Sequence, residues 1–132
     1  VPPTEPTPDL QIGDVAERTG LSLRTIRHYE EVGLLPESRR SPGGFRLYGE
    51  PAVRRLLLIM QMKPLGFSLE EMADIIALRE RLASPRLSER TRAGVVEQLA
   101  AYQALADDKL ADLRRRVDSA ERFARELQHP LA

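Results

Sequence analysis

The side chains best equipped for chemistry gather in two short stretches. One is SLRTIRHYEEVGLL at Ser22–Leu35 and the other is GGFRLY at Gly43–Tyr48. In the first, Arg24, Thr25, Arg27, His28 and Tyr29 fall on the polar side of a short helix. In the second, Phe45, Arg46 and Tyr48 follow a tight glycine turn. Guanidinium and hydroxyl donors of this kind suit phosphate oxygens, and an Arg can also bond a guanine through O6 and N7. A helix and a hairpin tip so armed fit a groove and its flanking phosphates. Double-stranded DNA is therefore the leading ligand.

Other chemistries find little support. There is no Cys, which excludes disulfides, zinc–thiolate sites and thiol-based sensing in this sequence. The two His, His28 and His129, are far apart, so no metal site is expected and none of the residues is assigned to a cofactor. The acidic pairs Glu30-Glu31, Glu70-Glu71 and Asp107-Asp108 are neighbours in sequence, so their side chains diverge on a helix. No nucleophile accompanies them, and an enzyme is not expected. No apolar run reaches membrane-spanning length, and the opening VPPTEPTPD lacks a signal-peptide pattern. A cytoplasmic protein of bacterial type, with no membrane partner, is the expectation.

The net charge of zero would by itself argue against nucleic acid, but the charges are unevenly placed. From position 18 to 55 there are eight Arg (18, 24, 27, 39, 40, 46, 54 and 55) against four Glu (30, 31, 37 and 50). A locally basic surface on a neutral protein can still bind phosphates.

The elements that must position these groups follow from periodicity and capping. Residues 1–9 carry Pro at 2, 3, 6 and 8 and read as a flexible tail. Ile12, Val15 and Ala16 share a helical face that stops at Thr19-Gly20. Ser22 caps the next helix, in which Leu23, Ile26 and Tyr29 recur at helical spacing, and Gly33 ends it. On this spacing Tyr29 serves either the core or the DNA. Two short helices about a Gly-Leu turn form a helix-turn-helix. Pro36–Tyr48 then reads as a small hairpin, or wing, tipped at Ser41-Pro42-Gly43-Gly44. Pro51 opens a third helix with an apolar stripe expected at Val53, Leu56, Leu57, Met60 and Leu65, and Pro64 ends or bends it. Ser68-Leu69-Glu70-Glu71 is a capping box for a fourth helix carrying Met72, Ile75, Ile76 and Leu78.

After a break over 83–87, Ser88 caps a run to about Gln128 without internal Pro. Val96, Leu99, Gln103, Ala106, Leu110, Leu113, Val117, Ala120, Ala124 and Leu127 alternate in steps of three and four along it. Nine of these ten are apolar, which is the seam of a coiled coil. Such a helix is roughly 60 Å long and needs a partner, of which a second copy is the simplest. Arg114-Arg115-Arg116 reads as a solvated flank of it.

In order and spacing, IGDVAERTGLSLRTIRHYEEVGLL, SRRSPGGFRLYGEPAV and LGFSLEEM resemble the MerR family of bacterial transcription regulators. The resemblance implies a mainly α fold. It comprises a winged helix-turn-helix DNA-binding domain over 10–82, a linker at 83–87 and a dimerisation helix at 88–128, with a tail at 129–132. The two copies would pair through an antiparallel coiled coil. It implies a homodimer that binds a pseudo-palindromic operator and bends and untwists the promoter spacer, so that RNA polymerase is reached through the DNA. The alternative is an architectural DNA binder of low specificity.

The resemblance places Arg24, Thr25, Arg27 and Tyr29 on the recognition helix, where Arg27 and Tyr29 match an R-x-Y-E core. His28 stands where Tyr or Phe is common. Arg39, Arg40, Phe45, Arg46 and Tyr48 match the wing, with Phe45 in a usual Tyr place, and Arg54 faces the backbone from the third helix. Pro64 departs from the usual helix former. Only four residues follow Gln128, so no separate effector domain is expected. A small-molecule effector, unidentified in the sequence, would have to use Leu78, Leu82, Leu99, Tyr102 and Phe123, which a plain hydrophobic interface explains better.

Overall fold

A computed structural model describes residues 10–36, 38–129 and 131. The tail expected over 1–9 lies outside the described residues, as does part of the one expected over 129–132. The chain forms α1 (Ile12–Thr19), α2 (Leu23–Glu31), β1 (Arg39–Arg40), β2 (Arg46–Leu47), α3 (Glu50–Met62), a 3-10 turn at Lys63–Leu65, α4 (Leu69–Leu82) and α5 (Glu89–Gln128). It divides into two compact units, one ending at Lys63 and one beginning at Pro64. The break drawn from sequence at 83–87 thus falls inside the second unit, because α4 packs on α5.

Local chemistry sets each boundary. Gly20, at φ 77°, closes α1 in a conformation costly for any residue with a Cβ, and its N–H donates to the Ala16 carbonyl. Ser22 Oγ then accepts from the Thr25 N–H at 3.1 Å and opens α2. Ser68 Oγ accepts from Glu71 N–H at 3.1 Å while the Glu71 carboxylate accepts from Ser68 N–H at 2.9 Å, a complete capping box. Ser88 Oγ caps α5 through the Thr91 N–H at 3.2 Å. The α3 helix stops at Met62, two residues before Pro64.

In the first unit, Val15 of α1 and Ile26 and Tyr29 of α2 are buried with Ala52, Val53, Leu56, Ile59 and Met62 of α3. The stripe expected on α3 is corrected here. Leu57 and Met60 are exposed, and Ile59 and Met62 take the inward places. Steps of four, three and three from Ala52 run through Leu56, Ile59 and Met62, and Val53 flanks that row on its inner side, which leaves 57 and 60 on the outer flank. The wing is an antiparallel pair with Arg39 opposite Leu47 and Arg40 opposite Arg46. Its base is pinned by an isolated bridge in which Leu10 and Tyr48 exchange both backbone hydrogen bonds, at 3.1 and 2.7 Å.

In the second unit, Phe67, Met72, Ile75, Ile76 and Leu78 are buried, with Val95 of α5. Polar contacts reinforce the α4–α5 packing. Tyr102 Oη donates to Asp74 at 2.6 Å, and Arg92 donates to the Leu82 carbonyl at 3.0 Å. Lys109 Nζ lies 5.2 Å from the centre of the Phe67 ring. The seam read from sequence divides along α5. Leu99, Ala106 and Leu113 are half-buried, whereas Val96, Leu110, Val117, Ala120, Ala124 and Leu127 are exposed. From Arg114 to His129 every residue is exposed, whichever face it occupies.

Replacing Leu56, fully buried on α3, by Ala should lower stability by about 2–5 kcal/mol through lost burial and a residual cavity. Urea unfolding followed by circular dichroism measures it, and a loss below ~1 kcal/mol would contradict this packing.

Candidate nucleic-acid interface

The candidate recognition face lies on α2, whose inner side is anchored by Ile26 and Tyr29. That anchoring leaves Arg24, Arg27 and His28 exposed on the outer side. Thr25 is half-buried, and its hydroxyl sits 2.8 Å from Ser22 Oγ at the cap. Arg39 and Arg40 are exposed on β1, and Arg54 is exposed on α3. Phe45 is 61% exposed at the wing tip. A cleft of about 250 Å³ lined by Gln11, Ile12, Arg27, Gly44, Phe45, Arg46 and Tyr48 brings the helix and the wing together. Arg27 and Arg46, nineteen positions apart in sequence, thus border one depression.

Two of the side chains read as DNA contacts are in the interior. Tyr29 is 3% exposed and Tyr48 1%, so neither ring is presented to a ligand. Tyr29 follows Ile26 by three residues and shares its inward face. Lys63 Nζ lies 5.7 Å from its ring centre and the His28 ring 5.6 Å. Tyr48 is held in place at both ends, by the Leu10 bridge and by its hydroxyl, which donates to Glu30 Oε2 at 2.6 Å. These two tyrosines support the surface that the arginines form.

The wing arginines differ in their commitments. Arg40 donates to the Gly44 carbonyl at 3.1 Å across the tip, and Arg46 pairs with Glu30 at 2.5 Å. Arg24, Arg27 and Arg39 enter no ion pair among the described residues. Arg18 makes a two-pronged ion pair with Glu50 at the start of α3, joining α1 to α3. The bond from Arg18 holds the Glu50 carboxyl below its usual range, and the Arg54 charge adds to that effect.

Glu30, bonded to Ser38, Arg46 and Tyr48, is the residue of this surface that sequence reasoning passed over. Its place in the R-x-Y-E core was the available signal. As one of the adjacent acids Glu30-Glu31 it reads from sequence only as a candidate catalyst. Burial pushes its carboxyl up, yet the bonds from Tyr48, Ser38 and Arg46, with the charge of Arg46, outweigh burial and leave it below the ordinary value. The Tyr48 phenol is pushed up to about 12, by burial first and then by the Glu30 carboxylate.

The five residues considered for an effector do not form one site. Leu78 is buried on α4, Leu82, Leu99 and Tyr102 are half-buried, and Phe123 is 60% exposed. Phe123 lies about 36 Å along α5 from Leu99, at 1.5 Å per residue. No group of three or more His, Cys, Asp or Glu able to hold a metal occurs among the described residues. No described helix is long and apolar enough to cross a membrane.

A winged helix-turn-helix with a cationic outer face, followed by a long helix, defines a class of DNA-binding regulators. Two family models cover the described chain: "MerR HTH family regulatory protein" matches residues 10–78, and "MerR, DNA binding" matches 53–129. The CueR regulator of Salmonella typhimurium is 36% identical over 107 residues, covering 77% of this chain and 78% of that protein. The mercuric resistance operon regulatory protein of Bacillus cereus is 39% identical over 71 residues, spanning 54% of each. The chain therefore spans about half the length of some curated relatives that it matches. A crystal structure of a MerR-family regulator from Listeria monocytogenes superposes with a TM-score of 0.66 at 27% identity, over 91% of this chain and 86% of that one. The chain belongs to the MerR family of helix-turn-helix transcription regulators, not to an enzyme family.

The Glu30–Tyr48 pair yields a pH dependence of defined sign. Depressed in the folded state, Glu30 contributes stability above its ordinary value of 4.5, lost as pH falls through the lower folded value. Tyr48, raised from 10.0 to about 12, contributes stability that is intact below pH 10 and is lost as pH rises through about 12. Urea midpoints taken against pH should show Tyr48→Phe with a shallower alkaline loss than the parent. Equal alkaline slopes in the two proteins would contradict the assignment.

Proposed function

We propose that the chain acts as a homodimer that binds a pseudo-palindromic promoter operator and controls transcription by distorting the promoter spacer, so that RNA polymerase is reached through the DNA. The observation that carries the reading is the cleft joining Arg27 on α2 to Phe45 and Arg46 of the wing. A groove reader and a backbone grip on one continuous surface suit a duplex better than any small ligand. Arg24 and Thr25 are the base readers in this proposal, Arg27 anchors the backbone, and Arg39, Arg40 and Arg54 meet phosphates. His28 lies at the edge of that surface.

The pairing element is α5. Val117, Ala120, Ala124 and Leu127 are exposed on a stretch where no described residue is buried, and a second copy running antiparallel would cover them. Twofold symmetry in the protein then calls for an inverted repeat in the DNA. The metal named for the Bacillus relative does not carry over, because this sequence has no Cys to offer it.

Arg24→Ala should cost about 1–3 kcal/mol on the preferred duplex and relax the base preference at one position of each half-site. Arg27→Ala should weaken all duplexes alike and lower the salt slope of binding by about one per head. Mobility shifts with random competitor DNA test both. Equal competition by random duplex would point instead to an architectural binder. Replacing Val117 by Asp should dissociate the pair, read by sedimentation, and abolish operator binding at matched concentration. In vitro transcription from the bound promoter, without added ligand, tests the control step.

A further inference from the structure

Glu30 presents a puzzle of sign. It occupies the last turn of α2, beside a surface that should attract phosphate, and a carboxylate there repels it. Its surroundings explain why it is tolerated. Oε1 accepts from Ser38 Oγ at 2.8 Å and from Arg46 at 2.5 Å, while Oε2 accepts from Tyr48 Oη at 2.6 Å. The side chain is only 12% exposed. Its three donors come from both arms of the wing, Ser38 just before β1 and Arg46 and Tyr48 on or just after β2. Two residues per strand cannot hold a ribbon at a set angle. The Arg40–Gly44 and Ser41–Phe45 bonds shape the tip but stay within the wing. The carboxylate ties both arms of the wing to the helix beside it.

We propose that Glu30 is a positioning residue for DNA binding, holding the wing at the angle from α2 that lets Arg39 and Arg40 reach backbone phosphates while Arg24 occupies the groove. This rests on the DNA-reading surface proposed above. It differs from a simple masking role, in which Glu30 merely neutralises Arg46. The two roles predict opposite changes. Removing a positioning residue withdraws two wing cations from phosphate. Removing a mask frees one.

The test uses the full chain and the duplex that the unaltered protein selects from a randomised library. Glu30→Ala should make the slope of log K against log salt shallower by about two per head, and weaken binding ~tenfold at moderate salt. Hydroxyl-radical protection of the flanking backbone should disappear while guanine methylation protection within each half-site persists. A steeper or unchanged slope overturns the proposal, as does retention or loss of both protections together in a folded variant. Glu30→Gln, of similar volume, carries the same comparison if the alanine variant fails to fold. If the unaltered protein selects no duplex at all, the DNA reading itself fails, a result distinct from any of these.

Discussion

A ribbon with two residues in each strand has no stability of its own, so the wing depends on how Tyr48 is seated. The Tyr48 backbone pairs with Leu10, its ring is buried, and its hydroxyl ends on Glu30. One residue therefore joins the chain before α1, the end of α2 and the wing. The bond is sustained from both sides. Burial favours the neutral phenol, and three donors favour the ionised carboxylate. A phenol donating to a half-buried carboxylate is a charge-assisted bond, stronger than a neutral pair.

Charge in the first unit is sorted by task. Glu50 and Glu30 each face an Arg, Arg18 and Arg46 respectively, and both pairs join different elements. Both arginines are about half exposed, so these pairs contribute more to geometry than to stability. Arg24, Arg27 and Arg39 face outward. A net charge of zero for the whole chain conceals this arrangement, because long-range attraction to a duplex depends on local field rather than on the sum.

Most elements were legible because they rest on local rules. The Ser22, Ser68 and Ser88 caps and the Gly20 stop lie where the sequence signals them. Pro64 follows the end of α3 by two residues, again as signalled. Burial on a particular face was less legible. Leu57 and Met60 are as apolar as Ile59 and Met62, and only the direction of packing decides between them. Tyr29 and Tyr48 misled in a different way. A phenol reads equally as a DNA contact or as a core residue with a polar tip, and the partner that decides for Tyr48 is Glu30, eighteen positions away. A tie between residues so far apart in sequence leaves no trace in periodicity. The division after Lys63 was hidden for a similar reason, since the packing of α4 on α5 involves contacts such as Lys109 with Phe67.

The far half of α5 has a consequence for dosage. Its last four turns are solvated on all sides, and an isolated helix of that length is marginal in water. On the proposed pairing, ordering of these turns is linked to association, so their folded fraction follows the concentration of the chain. At low copy number the rods would fray apart and single heads would bind DNA poorly. Occupancy of a promoter would then rise more steeply than in proportion to the amount of protein made. Such a regulator would respond to its own abundance as a threshold, with the threshold set by the apolar side chains of one helix.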